Sequence, residues 1–181
     1  MTPFVTNVTN LLSFIIVLCD VLIVFLLLLL VTPLGKTPRG AKIAAFFGDN
    51  ALLLAFIVAA ASVASSLFYS NVADFVPCLL CWWSRILLYP QAVILLVALL
   101  ANDERVRKYC IALSAIGVVV SAYHTSLQFG GADLIPCTTT GVSCEHVYFV
   151  TYGYVTIPTM ALTAFALILL FMLFKKNTRK V

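Results

Sequence analysis

Hydrophobic residues in this chain fall in long unbroken blocks, without the alternating or helical-face periodicity of a soluble fold. Five such blocks, at 11–31, 51–69, 82–101, 109–127 and 155–174, are separated by short polar stretches. Each approaches the roughly twenty helical residues needed to cross ~30 Å of hydrocarbon. Helices are the expected form, because open sheet edges cannot be satisfied in lipid and no dyad alternation of a membrane barrel is visible. The pattern predicts an all-α integral membrane protein with five spans. The first block is expected to stay as a span, since nothing basic precedes it and it is about twice as long as a signal-peptide core.

Composition agrees: 63% of the 181 residues are hydrophobic and 10% are charged, too little polar surface for a soluble fold of this length. The net charge of +4 forms no stripe or aromatic-interleaved patch of the kind that binds nucleic acid. It reports topology instead. Lys36, Arg39 and Lys42 lie between spans one and two, Arg105, Arg107 and Lys108 between spans three and four, and Lys175, Lys176, Arg179 and Lys180 after span five. With five spans those segments share one side, which the positive-inside rule makes cytoplasmic. The tail 1–10 and the loops 70–77 and 128–154 are then extracytoplasmic, in the compartment where disulfides persist.

Under that map the six cysteines separate. Cys19 lies within the first span and Cys110 at the cytoplasmic end of the fourth, and both read as small buried residues. Cys78, Cys81, Cys137 and Cys144 form two close pairs on the extracytoplasmic side. A purely structural bridge across Cys78-Leu-Leu-Cys81 would close too small a loop to add much constraint. Zinc fits poorly, because C-x6-C departs from the usual second-pair spacing and the compartment favours disulfides. Redox exchange fits better. Pro77 precedes Cys78 and the apolar run starts at once, placing both thiols in the first turn of a helix whose N-terminus stabilises negative charge.

Arg85 follows Cys81 by four residues, on the same helical face. A guanidinium at that depth is costly without a partner or a task, snorkelling to the headgroups being the plainer alternative. His124 and Gln128, also four apart, lie near the outer end of the fourth span and level with Cys81 and Arg85. A structural histidine bonded to a carbonyl would look the same in sequence. Beside the cysteines and Arg85, the two suggest one wall of a site for a lipid-soluble molecule with a polar head.

The run Cys78-Leu-Leu-Cys81-Trp82-Trp83-Ser84-Arg85-Ile86-Leu87-Leu88-Tyr89-Pro90 resembles the C-x-L-C-W-x-x-R-x-x-x-Y-P motif of the disulfide bond formation protein B (DsbB) family, in particular its BdbC-like branch. Tyr123-His124 with Gln128, the Cys137 to Gly141-Val142-Ser143-Cys144 loop, and Tyr152-Gly153-Tyr154-Val155-Thr156-Ile157-Pro158 resemble the same family in the same order, over about 51–174. The resemblance implies a four-helix transmembrane bundle of the DsbB type, here 44–181, preceded by an extra N-terminal helix and loop, 1–43. The added first span, 11–31, departs from the four spans typical of that family. The resemblance implies a multi-pass plasma or inner membrane enzyme that re-oxidises a thioredoxin-fold dithiol oxidase of the DsbA or BdbD kind and passes electrons to ubiquinone or menaquinone. Carried onto this chain, Cys137 would form the mixed disulfide with the partner, Cys144 would exchange with Cys78, and Cys81 would meet the quinone. Arg85 would polarise the quinone oxygen, with His124 and Gln128 in the same pocket.

Glycines at 130–131 and the 138–141 stretch suit a loop that must visit both partner and helix end. The resting pairing of the four cysteines stays open, since four allow three connectivities. Asp20, inside the extra span, is an intramembrane acid that serves either a site or a packing contact. Asn7-Val8-Thr9 fits a glycosylation sequon and carries no weight in so short a tail. A stapled scaffold would not need a C-x-x-C at a helix start, and a transporter would show inverted repeats that are not visible here. Enzymes of the vitamin K epoxide reductase type share the chemistry but place the loop cysteines before the C-x-x-C.

Overall fold

The computed structural model describes residues 2–132, 137 and 142–175. Its helices are α1 (Pro3–Val31), α2 (Pro38–Asp49), α3 (Ala51–Asn71), α4 (Leu79–Ala101), α5 (Arg107–Gln128) and α6 (Ile157–Phe174), with short 3-10 turns at Pro33–Lys36 and Glu104–Val106. No strand occurs among the described residues. All but α2 are long and apolar enough to cross a membrane. The protein is therefore an all-helical, multi-pass membrane protein.

Contacts run from α3 to α4, α4 to α5, α5 to α6 and back from α6 to α3, closing a four-helix ring that α1 joins through α6. The chain passes back and forth, so the molecule has two unlike ends. One, the cysteine end, gathers the start of α4, the last turn of α5, and the segment leading into α6. The other, the basic end, holds Arg39, Lys42, Arg105, Arg107, Lys108 and Lys175. There Arg107 Nε donates to the Met172 carbonyl at 2.7 Å, a cation against the last turn of α6.

Close approach of the helices depends on small residues, the usual device where lipid offers no hydrophobic drive for association. Ala51, Ala55 and Ala59 are fully buried on α3. On α5, a Cβ added at Gly117 would lie 2.4 Å from the Phe165 ring of α6. Polar groups add registry: the Ser114 hydroxyl donates to Gln91 Oε1 at 2.8 Å, joining α5 to α4, and Gln91 Nε2 donates to the Leu87 carbonyl at 3.0 Å. Cys110 is buried in this core and Cys19 is half-buried, and neither is bonded to another cysteine.

Two features depart from the apolar-block expectation. First, α1 starts at Pro3, well before residue 11, because Thr2 caps it by accepting the Val5 N–H and Pro3 supplies a preset first turn. Second, the loop between the first two spans contains α2. Thr37 Oγ1 accepts the Gly40 N–H at 3.1 Å to start it, and Phe47 stacks on Phe171 at 6.0 Å to hold it across the basic end. At twelve residues α2 is too short to span, and its basic residues read in sequence only as a topology signal.

Candidate functional site

The site is built at the start of α4. Cys78 is the N-cap residue, in extended conformation, and its Sγ accepts the backbone N–H of Cys81 at 3.4 Å. This cap turns both side chains to the same edge, leaving the two sulfurs 3.0 Å apart and unbonded. From α5, His124 Nε2 reaches within 3.5 Å of Cys78 Sγ, and His124 is itself buried. A hydrogen bond from the Cys81 thiol holds the Cys78 thiol well below the ordinary range, against the opposing effect of burial. His124 and the Cys81 N–H lower it further.

Arg85 lies one turn further along α4. Its Nε donates to Ser66 Oγ at 3.0 Å and its Nη2 to the Ser66 carbonyl at 3.4 Å and to Ser70 Oγ, while the guanidinium carbon sits 5.3 Å from the Trp82 ring centre. Tyr89 also donates to Ser66 Oγ, at 3.2 Å. Among the described residues, no partner of Arg85 is acidic. Its charge is met by a hydroxyl face on α3, and Nη1 keeps its donors, out of the five N–H groups a guanidinium carries.

The second cysteine pair comes from the segment between α5 and α6. Cys137 and Cys144 form a disulfide with Cα atoms 5.8 Å apart. Both are buried, in one cluster with Cys78, Leu80 and Leu127, and Cys81 packs against that cluster. The loop pair is thus bonded in the structure and the helix pair is not.

An aromatic stack that the sequence reading did not single out docks this segment. Tyr148 lies face to face on Phe75 at 4.2 Å, Phe75 in turn stacks on Tyr69 at 5.7 Å, and Phe149 leans against both Tyr69 and Phe75. The Tyr148 hydroxyl donates to the Val76 carbonyl at 2.8 Å, two residues before Cys78. His146 meets Tyr148 edge-on at 4.7 Å. The only sequence signal was the density of aromatics on either side of the two cysteine pairs.

Gln128 Nε2 donates to the His146 carbonyl at 3.0 Å. It lines a cleft of only about 20 Å³ with Cys78, Cys81, His124, Val142, Ser143 and His146. At the end of α5, Gly130 adopts φ +86° and the Gly131 N–H returns to the Ser126 carbonyl at 2.8 Å, so these glycines stop the helix. The 138–141 stretch lies outside the described residues.

A much larger cavity, about 300 Å³, also reaches Cys81 and shares Val76, His124, Tyr148, Ile157 and Pro158 with that cleft. Its polar cap is formed by Cys81, Arg85, Ser66, Ser70, His124 and Tyr148. Below the cap the walls are mostly apolar and come from α1, α3 and α6. Lining residues on α3 extend from Ile57 to Ser70, roughly 20 Å along the helix axis. Of the expected ligand residues, Arg85 and His124 border this cavity and Gln128 does not. Cys78 Sγ, Cys81 Sγ and a His124 nitrogen also lie within 4.8 Å of one another, a set that a soft metal ion could use.

A touching thiol pair packed against a buried disulfide at one end of a membrane bundle is the apparatus of a membrane thiol–disulfide oxidoreductase. The family described as disulfide bond formation protein DsbB matches residues 48–175, and the chain belongs to it. Disulfide bond formation protein C of Bacillus subtilis is 38% identical over 130 residues, covering 71% of this chain and 94% of that protein. A probable disulfide formation protein of Metapseudomonas resinovorans is 37% identical over 132 residues, covering 71% of this chain and 92% of its own. One from Chlamydia caviae is 32% identical over 136 residues, covering 75% and 98%. No solved structure matches the chain significantly. The family match starts within α2, so α1 lies outside it.

Proposed function

We propose that the protein re-oxidises an extracytoplasmic thioredoxin-fold dithiol oxidase and delivers the electrons to a membrane quinone. The observation that carries this reading is the position of Cys81, which packs against the cluster of Cys78 and the loop disulfide and also lines a long, mostly apolar cavity with a polar cap. The cavity suits a quinone: Arg85 keeps unengaged donors for a carbonyl oxygen, and the apolar walls below suit an isoprenoid tail. When bound, quinone accepts two electrons and two protons.

The exchange steps follow from the sulfur positions. A thiolate of the partner attacks Cys137 and displaces Cys144; the partner's second thiol then releases Cys137 and leaves the partner oxidised. The Cys144 thiolate attacks Cys78 of a Cys78–Cys81 disulfide, Cys81 leaves, and Cys137 closes back on Cys144 to free Cys78. That restores the observed state, with the loop pair bonded and the helix pair reduced. Re-forming the Cys78–Cys81 bond releases two electrons and two protons, which a quinone held at the cavity cap would accept. Each attack requires a thiolate, and the depressed Cys78 thiol makes Cys78 a good leaving group when Cys137 closes back on Cys144. The loop disulfide is buried, so the partner reaches Cys137 only when the loop lifts from Phe75.

Purified protein should oxidise a reduced thioredoxin-fold dithiol oxidase with turnover that depends on added quinone. Partner oxidation that is complete and catalytic without any quinone refutes the reading. Bound zinc that is released stoichiometrically on oxidation of Cys78 and Cys81, with no quinone turnover, would favour a metal site instead.

A further inference from the structure

The helix outside the family match has a definite place in the structure. Leu12, Ile15, Ile16 and Cys19 of α1 line the large cavity together with α3 and α6. The opposite face of α1, including Leu11, Phe14, Leu18 and Val21, is exposed and apolar, as expected of a surface turned to lipid. Polar contacts fix the helix between these faces. Ser13, fully buried, donates to Thr151 Oγ1 at 3.1 Å. Asp20 accepts from the Tyr154 hydroxyl and from Thr163 Oγ1, both at 2.7 Å. Hydrogen bonds of this kind are the glue available between helices in lipid, and they account for an acid within the span.

We infer that α1 is the tail-recognition wall of the quinone cavity, with Ile16 and its neighbours contacting the isoprenoid chain and Asp20 acting as the positioning residue that holds the wall in place. This rests on the quinone reading above. The polar cap at Cys81 and Arg85 is far up the cavity from Cys19 and Ile57, so a headgroup at the cap sends its tail down between α1, α3 and α6. None of the cap residues Cys81, Arg85, Ser66, Ser70, His124 and Tyr148 belongs to α1. Discrimination between tails, and not the redox step, is therefore the contribution of this helix.

The test uses the full chain and two electron acceptors, a long-tailed quinone and a tail-less analogue with the same ring. Ile16→Trp puts bulk into the tail channel and should raise KM for the long-tailed quinone about tenfold, with KM for the tail-less analogue and kcat for both unchanged. Asp20→Leu removes both hydroxyl contacts and should likewise raise KM only for the tailed quinone, while Asp20→Asn, which keeps an acceptor, restores most of it. Single-turnover oxidation of the dithiol partner without quinone should be the same in all variants. Equal KM changes for both acceptors, or none for either, overturn the wall. Absence of quinone-dependent turnover in the unaltered protein instead defeats the underlying reading, and the wall with it.

Discussion

The two cysteine pairs are held in opposite ways. Cys78 and Cys81 belong to a helix start, where the N-cap geometry, a backbone N–H and His124 fix both sulfurs. Cys137 and Cys144 sit on a connecting segment that has no helix or strand of its own among the described residues; Tyr148 and Phe149 leaning on Phe75 and Tyr69, and Gln128 bonded to the His146 carbonyl, dock that segment beside the first pair. The rigid pair faces a cavity within the membrane helices, where geometry relative to a small molecule matters. Under the proposed function the docked pair would serve a protein partner, and its support is a stack of rings. On that reading the need for precision and the need for movement fall to different pairs.

The comparison breaks most completely at the sulfurs. Cys144→Ser leaves Cys137 as a lone thiol that captures the disulfide of the oxidised partner with no Cys144 to displace it, so it should accumulate a mixed disulfide between Cys137 and the partner, and Cys137→Ser should trap none; non-reducing gels of the two variants read this directly. Trapping by Cys137→Ser alone would reverse the roles within the loop pair.

Next in size is Arg85, whose effect should fall on the helix-pair side only. Arg85→Gln should cost quinone binding about 1.5–3 kcal/mol, the worth of a charged hydrogen bond, and Arg85→Lys less, measured as KM for quinone. Exchange between the loop pair and the partner should be unchanged in both variants.

His124→Ala tests what sets the thiolate. In the reduced protein the Cys78 thiol is depressed, so its thiolate persists as pH falls until that lowered value is reached. Losing His124 removes a group that lowers it, so the falling limb of the pH–rate profile for Cys78 alkylation should move to higher pH. The stability linked to that thiolate, present above the thiol's unfolded value and lost as pH falls through the folded one, should shrink in the same variant. An unmoved profile would leave the Cys81 thiol and backbone N–H as the sole causes.

The smallest effect belongs to the docking stack. Phe75→Ala removes its rings' contacts with Tyr148 and Tyr69, worth about 0.5–1.5 kcal/mol each beyond area burial. It should slow exchange between the two pairs, seen by rapid acid quench, more than it slows reduction of quinone by the helix pair, whose cavity Phe75 also borders.

What the sequence disclosed tracks the range of each signal. Five spans, their common sidedness of Lys and Arg, and the C-x-x-C at a helix start are local or block properties, and the structure has all five helices. Ser66 and Ser70, which receive Arg85, lay hidden because serines inside an apolar run read as ordinary small residues until α3 is placed beside α4. The docking stack joins 69, 75, 148 and 149 across most of the fold, and no periodicity links those positions. Asp20 was visible as an anomaly, but its partners Tyr154 and Thr163 are more than 130 residues away in sequence.

The central claim is that the helix pair gives its electrons to quinone without help from the loop pair. A Cys137→Ser/Cys144→Ser protein, reduced and mixed with one equivalent of quinone, isolates that step when thiol alkylation and quinone absorbance are followed together. The account predicts loss of the Cys78 and Cys81 thiols one for one with hydroquinone formed. Quinone left oxidised beside a helix pair that stays reduced, with the double variant folded, would contradict it.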